Sequence, residues 1–259
     1  MKIAIFSDVH GNTLALDAVL ADIAREHPAV DGYWVVGDLV ALGPLPANAA
    51  RTLSALPGAR FVRGNTDRYV LAGNAPWAPD RIERAREDRA ALENALALIA
   101  SFPWAAGAVA ASGHDAWMRS IPLEVRETLP DGTRVLLVHA APGTDDGPGI
   151  GPGMTDAELA SVLAGAAAGA AADLVIVGHT HIPLDRDVVV DGATVRVHNL
   201  GSVSRPETDE HRAMWTLLTA DEAGYTLERR FVPYDIARVN ADLDAVHHPA
   251  AGILKTMLP

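Results

Sequence analysis

Five short apolar runs of this chain each end in a side chain that can bind a metal ion. The runs occupy residues 2–6, 33–36, 59–62, 135–138 and 174–177. Near-continuous apolar strands of this kind are typical of a sheet that is covered on both faces. Leu16, Val19, Leu20 and Ile23 lie at helical spacing between the first two runs. This order predicts a strand, a helix and a parallel strand joined by a right-handed crossover.

The polar residues after the runs form five motifs. In chain order they are Ser7-Asp8-Val9-His10, Gly37-Asp38, Gly64-Asn65-Thr66-Asp67, His139 and Gly178-His179-Thr180-His181. Ligands of open parallel sheets bind beyond the carboxyl ends of the strands, so we expect these side chains to converge on one crevice. An Asp-x-His pair alone occurs by chance about once in a chain of this composition. The specificity of the pattern therefore comes from the combination of strand ends.

Composition restricts the kind of site. The chain has 259 residues, 21 Lys and Arg, 33 Asp and Glu, no Cys and a formal net charge of −12. The acidic balance works against binding of long nucleic acids and of anionic membranes. The absence of Cys excludes cysteine-ligated metals and thiol nucleophiles, so any metal is held by His, Asp, Glu, Asn or water. Because the first apolar run is too short for a signal peptide, we expect a cytoplasmic protein without membrane contact.

We interpret residues 1–259 as a single domain in which residues 73–126 form a helical insertion. The insertion has a charged helical pattern at 81–99, then Phe102-Pro103-Trp104 and a second helical pattern near Trp117. Two interpretations stay open for it: a packed helical excursion, or a lid over a site. Elsewhere the pattern predicts a helix at 156–171, a hairpin at 188–190 and 194–198 around Asp191-Gly192, and a hairpin at 213–218 and 225–231.

The five motifs, in their order, resemble the calcineurin-like metallophosphoesterase family, and in particular its small bacterial and archaeal phosphodiesterases. The resemblance extends from residue 1 to about residue 205. It implies an α/β fold, a four-layer α/β/β/α sandwich of mixed sheets, with a dinuclear metal site at the C-terminal strand ends. The implied ligands are Asp8, His10 and His181 for one ion, Asn65, His139 and His179 for the other, and Asp38 as the bridge between them.

The resemblance also implies a mechanism. A metal-bridging hydroxide attacks phosphorus in line with the departing oxygen, and the ions neutralise the charge on the phosphoryl oxygens. We assign Asp38, Asn65 and Asp67 to this catalytic centre, where Asp67 either orients a ligand or caps a helix. The mixed donors suit manganese, iron, zinc or nickel. Thr66 departs from the family, because many members have there a His that assists the leaving group, and Thr has no useful pKa.

Several functions remain open. The first is hydrolysis of small phosphodiesters or phosphomonoesters, and the second is hydrolysis of dinucleoside polyphosphates or of phosphoproteins. A third is a non-catalytic scaffold on the same fold, against which the seven filled ligand positions argue. Arg63, Arg205 and the turn 199–202 are candidate phosphate contacts with a solvated or structural role as the alternative. The sequence makes no prediction of the oligomeric state, and His27, His114, His247 and His248 are expected at the surface.

Overall fold

The computed structural model describes residues 1–73, 75–165, 172–205 and 211–257. The strands of this part of the chain are β1 (Lys2–Phe6), β2 (Gly32–Val36), β3 (Arg60–Val62), β4 (Glu124–Thr128), β5 (Arg134–Val138), β6 (Leu174–Val177), β7 (Leu184–Val190), β8 (Ala193–Asn199), β9 (Ala213–Asp221) and β10 (Gly224–Val232). Its helices are α1 (Thr13–Glu26), α2 (Pro46–Ser54), α3 (Asn65–Ala72), α4 (Ala78–Ala85), α5 (Arg89–Ala111), α6 (Asp115–Ser120), α7 (Asp156–Gly165), α8 (Ile236–Ala245) and α9 (Ala251–Met257).

The strands form two mixed sheets. The first has the order β10-β9-β1-β2-β3, and the second has the order β4-β5-β6-β8-β7. In the first sheet β1, β2 and β3 are parallel, while β9 and β10 are antiparallel additions. In the second, β5, β6 and β8 are parallel and the edge strands β4 and β7 are antiparallel. The prediction of an α/β fold with mixed sheets is confirmed.

The two sheets pack face to face and carry helices on their outer faces. Alternation along β1 shows this arrangement, because Ile3 and Ile5 lie in the apolar cluster between the sheets. Their neighbours Ala4 and Phe6 lie in the cluster that the first sheet forms with its helices. On the far side of the second sheet, Leu159 of α7 belongs to a third cluster. The four-layer sandwich follows from this two-sided burial.

Both predicted hairpins are present. Asp191 and Gly192 have φ values of 50° and 82°, the left-handed pair that a tight hairpin turn between β7 and β8 requires. The second hairpin, β9 and β10, pairs with β1 and so returns the chain to the first sheet. The predicted helix at 156–171 is observed as α7, and its last part, residues 166–171, lies outside the described residues.

The insertion differs from its prediction in two respects. The helical pattern predicted at 81–99 is observed as α4 and the first part of α5, and α5 continues through Pro103 to Ala111. Phe102 and Ala105 are buried in the main core, and this packing outweighs the cost of about 3 kcal/mol for a proline inside a helix. The insertion also ends in β4, an edge strand that the sequence did not predict. Its residues are half-buried or exposed, so the strand lacks the continuous apolar run of the buried strands. Whether the segment acts as a lid stays a prediction.

Helix α5 is long and apolar enough, by length and composition alone, to cross a membrane. A third of its most apolar window is buried. Its buried face includes Phe102, Ala105 and Val109, which lie in the core beside α2 and α3. One face of α5 therefore packs in the core, and the expectation of no membrane contact stays a prediction.

The two last helices pack beside the carboxyl ends of the strands. Leu243 of α8 and Leu254 of α9 form a small apolar cluster with Leu42 and Ala97. His248, in the turn between α8 and α9, is buried, and its ring stacks edge-on against Trp104 at 4.7 Å. The expectation that His248 lies at the surface is therefore wrong, because α5 covers the turn that carries it.

Candidate metal centre

The carboxyl ends of strands from both sheets meet at one place. Asp8 and His10 follow β1, and Asp38 follows β2, in the first sheet; His139 follows β5, and His179 and His181 follow β6, in the second. These side chains form two groups whose candidate ligand atoms lie within 4.8 Å of one another: Asp8, His10 and His181, and Asp38, His139 and His179. The convergence expected from the strand ends is observed for these six residues.

Asp38 lies between the two groups. Its Oδ2 is 3.6 Å from His10 Nε2 and 3.4 Å from His139 Nε2. Its Oδ1 accepts a hydrogen bond from the backbone N–H of Thr66 at 3.0 Å. The second carboxylate, Asp8, has Oδ1 at 3.1 Å from His181 Nε2 and at 3.8 Å from His10 Nε2. One oxygen of each carboxylate therefore faces the imidazoles from both sheets.

The backbone is strained where these side chains leave the strands. Positive φ values, between 50° and 69°, occur at Asp8, His10, Asp38, His179 and His181. The left-handed region costs a residue with a Cβ about 1–2 kcal/mol. Tight turns of this kind aim several side chains of one motif at a single point, and the surrounding sheets hold them there.

Each of the four imidazoles is anchored by a backbone carbonyl. The ring N–H donors and their acceptors are His10 Nδ1 to Ala41 at 3.2 Å, His139 Nδ1 to Val36 at 2.8 Å, His179 Nε2 to Gly147 at 2.9 Å and His181 Nδ1 to Arg205 at 2.9 Å. When one ring nitrogen donates in this way, the other presents its lone pair to the centre. This arrangement is typical of histidine ligands of metal ions.

Without a cation, acceptors face acceptors in this centre. The Nε2 atoms of His10 and His181 are only 3.2 Å apart, and both rings donate through their other nitrogen. Asp8 Oδ1 and His139 Nε2 are buried and, in the described part of the chain, have no hydrogen-bond partner. Orphaned lone pairs of this kind are costly unless a proton or a metal ion binds them. The donor set therefore fits divalent cations.

The electrostatics of the group agree with this fit. Burial lowers the pKa of His10 to about 4, so its ring is neutral and its lone pair is available. Burial also disfavours a charged His139, but the negative charge of Asp38 is stronger and raises the pKa of His139 to about 10. Burial by itself would raise the pKa of Asp38, and the charge of His139 holds it well below its usual range. The centre attracts positive charge at the position that His139 Nε2 faces.

Asn65 and Asp67 flank the centre in different ways. Asn65 Oδ1 is 3.1 Å from His179 Nδ1, beside the second group. Asp67 is fully buried, and its two oxygens accept from the backbone N–H groups of Gly64 at 3.0 Å and Leu39 at 2.8 Å. Asp67 thus caps α3 and holds the backbone next to Asp38, which is the helix-cap interpretation. Its catalytic role stays a prediction.

Of the other candidate phosphate contacts, some have structural partners and one lies at the cavity. Arg63 donates to Asp145 at 3.0 Å. Asn199 Nδ2 donates to the carbonyls of Ile150 and Gly178, so the turn at 199–202 supports the strand end that carries the paired histidines. Arg205, in contrast, lines the cavity at the centre. Of these candidates, Arg205 is the one that lies at the site.

A cavity of about 200 Å³ opens onto the centre. Its polar lining comes from the strand ends, from Asn12 and from Arg205. Its apolar lining includes Val239 and Leu243 of α8 and Leu254 of α9. No sequence motif pointed to a function for these helices, and the helical spacing of Val239 and Leu243 is the only signal that could have found them. No described residue between 75 and 126 lines the cavity.

Comparison with known proteins agrees with the fold and the motifs. A family model described as the calcineurin-like phosphoesterase superfamily domain matches residues 1–222. A metallophosphoesterase from Sphaerobacter thermophilus has 25% identity and a TM-score of 0.71, with 100% of this chain and 98% of that chain covered. A protein from Methanocaldococcus jannaschii is 26% identical over 247 residues, covering 91% of this chain and 89% of its own.

A shorter match concerns a symmetrical bis(5'-nucleosyl)-tetraphosphatase from Serratia proteamaculans. It is 40% identical over 73 residues, which are 28% of this chain. The alignment spans a quarter of the length of that relative.

Proposed function

Because the chain belongs to the calcineurin-like phosphoesterase superfamily, a metal-dependent family of phosphoester hydrolases, we propose that it hydrolyses small phosphodiesters or phosphomonoesters at a centre of two divalent ions. The observation that carries this proposal is the pair of Asp/His groups whose imidazoles are all anchored by backbone carbonyls. The anchored imidazole nitrogens and the buried, unpartnered Asp8 Oδ1 are polar atoms that a bound cation would satisfy.

Seven residues would hold the ions. One ion would take Asp8, His10 and His181, the other would take Asn65, His139 and His179, and Asp38 would contact both. The position of Asp38 Oδ2, within 3.6 Å of a histidine from each group, supports its bridging role. When bound, two such ions supply a nucleophile at neutral pH and neutralise charge on the phosphoryl oxygens. Manganese, iron, zinc and nickel all suit these donors.

The chain itself binds and orients the ester. Arg205 adds a positive charge to the cavity lining beside the centre. Thr66 fixes Asp38 through its backbone N–H, and Asp67 fixes the neighbouring backbone, so the bridging carboxylate has one orientation. We therefore treat Asp67 as a positioning residue of the reaction.

A dinucleoside tetraphosphate is the second candidate substrate, favoured by the 40% identity over 73 residues with the tetraphosphatase. Such a substrate carries several negative charges. Of the described residues that line the cavity, Arg205 is the only Lys or Arg. A single positively charged side chain is a poor match for a ligand with several negative charges. We therefore consider a dinucleoside tetraphosphate a less suitable substrate for this cavity than a small ester.

The test compares the purified chain with two buried Asp→Asn variants. Asp38→Asn removes the proposed bridge, whereas Asp22→Asn changes a buried carboxylate that accepts from Trp215 Nε1, away from the centre. With each metal supplied in turn, we expect turnover of bis(4-nitrophenyl) phosphate or 4-nitrophenyl phosphate by the wild type. We expect Asp38→Asn to lower kcat/KM at least about 10²-fold, while Asp22→Asn stays near wild type.

Metal content per chain is measured on the same samples. Turnover of neither ester by a metal-loaded wild type, or equal rates and metal content in both variants, would contradict the proposal. The first of these outcomes would favour the non-catalytic scaffold, and turnover of dinucleoside tetraphosphate alone would favour the second candidate.

A further inference from the structure

The cavity is lined by two sets of side chains with opposite chemistry. One set is polar and includes His10, Asp38, His179 and His181 of the Asp/His groups, with Asn12, Thr66 and Arg205. The other set is a wall of aliphatic and thioether side chains: Leu42, Pro44, Val239, Leu243, Leu254 and Met257, the last of which contacts Arg205 Nη1 through its Sδ at 3.2 Å. A ligand that fills such a cavity carries its charge at one end and an uncharged, apolar group at the other.

The apolar wall is a built part of the molecule. Leu243 and Leu254 are 1% and 5% exposed, so α8 and α9 are seated in the core and are not a loose tail. An ion pair between Asp244 and Lys255 joins the two helices. The edge-on contact between the rings of His248 and Trp104 joins the turn between the two helices to α5. A preformed wall of this kind costs a ligand little ordering free energy.

Four of the six wall residues, those on α8 and α9, lie beyond the part of the chain that the family model matches. That match ends at residue 222, whereas α8 begins at Ile236. The metal-binding motifs lie inside the match and recognise the phosphoryl group. Residues outside the match can therefore contribute to the selection among esters, and α8 and α9 are the described elements that reach the cavity from there.

We propose that the wall formed by α8 and α9 binds the organic group of the substrate, an uncharged apolar group no larger than a single ring system, while the phosphoryl group lies at the Asp/His centre. This inference rests on the proposed function. The size follows from the cavity, whose volume of about 200 Å³ is below the range of roughly 300–1,000 Å³ that drug-sized ligands occupy.

Binding of two phosphonates can distinguish the contribution of the apolar wall from that of the Asp/His centre. Phenylphosphonate and methylphosphonate share one head group, differ only in their organic group and are not hydrolysed. Calorimetric titration of the manganese-loaded full chain measures the dissociation constant of each. We expect the wild type to bind phenylphosphonate about tenfold or more tightly than methylphosphonate, because apolar pockets discriminate by such factors for small changes of the ligand.

Adjacent residues of α9 supply the matched variants. Both side chains are exposed, but Met257 lines the cavity and Thr256 does not. Met257→Gln keeps the length of the side chain and makes it polar, and we expect it to reduce the phenyl preference to about threefold or less. Thr256→Gln is expected to keep the wild-type preference. Val239→Thr, a substitution of similar volume on α8, is the second test of the wall and is expected to reduce the preference as well.

The outcomes separate this inference from the proposed function. Equal affinity of the wild type for the two phosphonates would contradict the proposed role of the wall in substrate binding. It would not contradict the proposed phosphoester hydrolysis. An unchanged preference in folded Met257→Gln and Val239→Thr would also contradict the role of the wall. If the metal-loaded wild type bound neither phosphonate, both proposals would be contradicted: recognition of the phosphoryl group at the centre and binding of the organic group at the wall.

Discussion

At the scale of single residues, the centre depends on small side chains as much as on its ligands. Gly64 lies against Asp38, because a Cβ on this glycine would meet the Asp38 carboxylate and backbone. Gly178 lies against Asp8, and a Cβ there would come within 2.5 Å of Oδ2. The glycines of the motifs are therefore needed for close packing between motifs of different strands.

Gly37 allows a direct test of this packing. Its φ is 82°, and a Cβ there would collide with the ring of His139. Gly192 also has a φ of 82°, but a Cβ on this glycine would meet no atom of the described residues within 4 Å. We expect Gly37→Ala to lower the free energy of unfolding by about 1–3 kcal/mol more than Gly192→Ala, because only the former adds a clash to the same backbone strain.

Denaturant titration of the two variants measures this difference, and metal analysis accompanies it. The displaced ring of His139 is expected to reduce metal content in Gly37→Ala only. Equal stability and equal metal content in the two alanine variants would show that the close packing of Gly37 against His139 does not contribute to stability or to metal binding.

Thr66 bears on the leaving group. Its Oγ1 is buried and, within the described residues, has no hydrogen-bond partner, and its side chain has no proton to give at neutral pH. An alkoxide needs a proton or a metal ion to depart, whereas nitrophenoxide departs unaided. We therefore expect a steep dependence of kcat/KM on the pKa of the leaving group.

Thr66→His is expected to raise kcat/KM for alkyl phosphodiesters by about tenfold or more relative to aryl ones. Thr66→Asn is the control, since it is polar and comparable in size but does not titrate. The measurement is kcat/KM over a series of aryl and alkyl diesters for all three proteins. A shallow dependence in the wild type would mean that another group already donates the proton.

At the scale of elements, helix α5 supports the helices that line the cavity. Its residue Trp104 stacks on His248, and its residue Ala97 packs against the cluster of Leu243 and Leu254. The insertion thus acts on the cavity through α8 and α9, while the described cavity lining contains none of its own residues.

This contact makes the C-terminal helices sensitive to acid. Burial lowers the pKa of His248 from its ordinary value of 6.5 to about 4. Its Nδ1 accepts a hydrogen bond from the backbone N–H of Ala250 at 3.1 Å, and protonation would break that bond. Because the folded pKa is below the unfolded one, the unfolded chain takes up the proton first. The stability that neutral His248 provides is complete above pH 6.5 and is lost as the pH falls towards 4.

His248→Asn tests this dependence, because Asn keeps an acceptor oxygen and does not titrate. His247→Asn, at the neighbouring position outside the buried core, is the control. Between pH 7 and pH 5 we expect the free energy of unfolding to fall less in His248→Asn than in the wild type and in His247→Asn. Identical pH profiles of unfolding free energy for the three proteins would show that His248 does not cause the loss of stability in acid.

At the scale of the whole molecule, the centre joins the two sheets. Asp8 and Asp38 come from the first sheet, and His139, His179 and His181 come from the second. Ions bound between them would link the two halves of the sandwich at its open end. Without ions, the facing lone pairs of His10 Nε2 and His181 Nε2, 3.2 Å apart, repel each other across the same junction.

Removal of the ions is therefore expected to destabilise the entire fold. A ligand at about 100 times its dissociation constant stabilises the native state by about 2.7 kcal/mol. In a chain of this size that corresponds to a decrease in Tm of about 5–10 °C on chelation. Thermal unfolding of metal-loaded wild type before and after chelation measures the change. Asp38→Asn is expected to show a smaller decrease than Asp22→Asn, and equal decreases would argue against ions between the sheets.

Local sequence patterns determined much of this protein. Apolar runs and their polar ends predicted β1, β2, β3, β5 and β6, because burial on both faces of a sheet requires continuous apolar residues. The Asp191-Gly192 pair predicted its hairpin for an equally local reason, the left-handed backbone of the turn. The same strand ends identified the residues of the two Asp/His groups, because parallel strands deliver their carboxyl ends to one edge.

Only the tertiary structure decided how these parts meet. The pairing of β9 with β1, and the contact between His10 and His181, join residues far apart in the chain. The passage of α5 through Pro103 and the position of α8 and α9 at the cavity are decided in the same way. Such contacts depend on the free energy of packing summed over the whole molecule, which outweighs local preference and leaves no periodic pattern in the sequence.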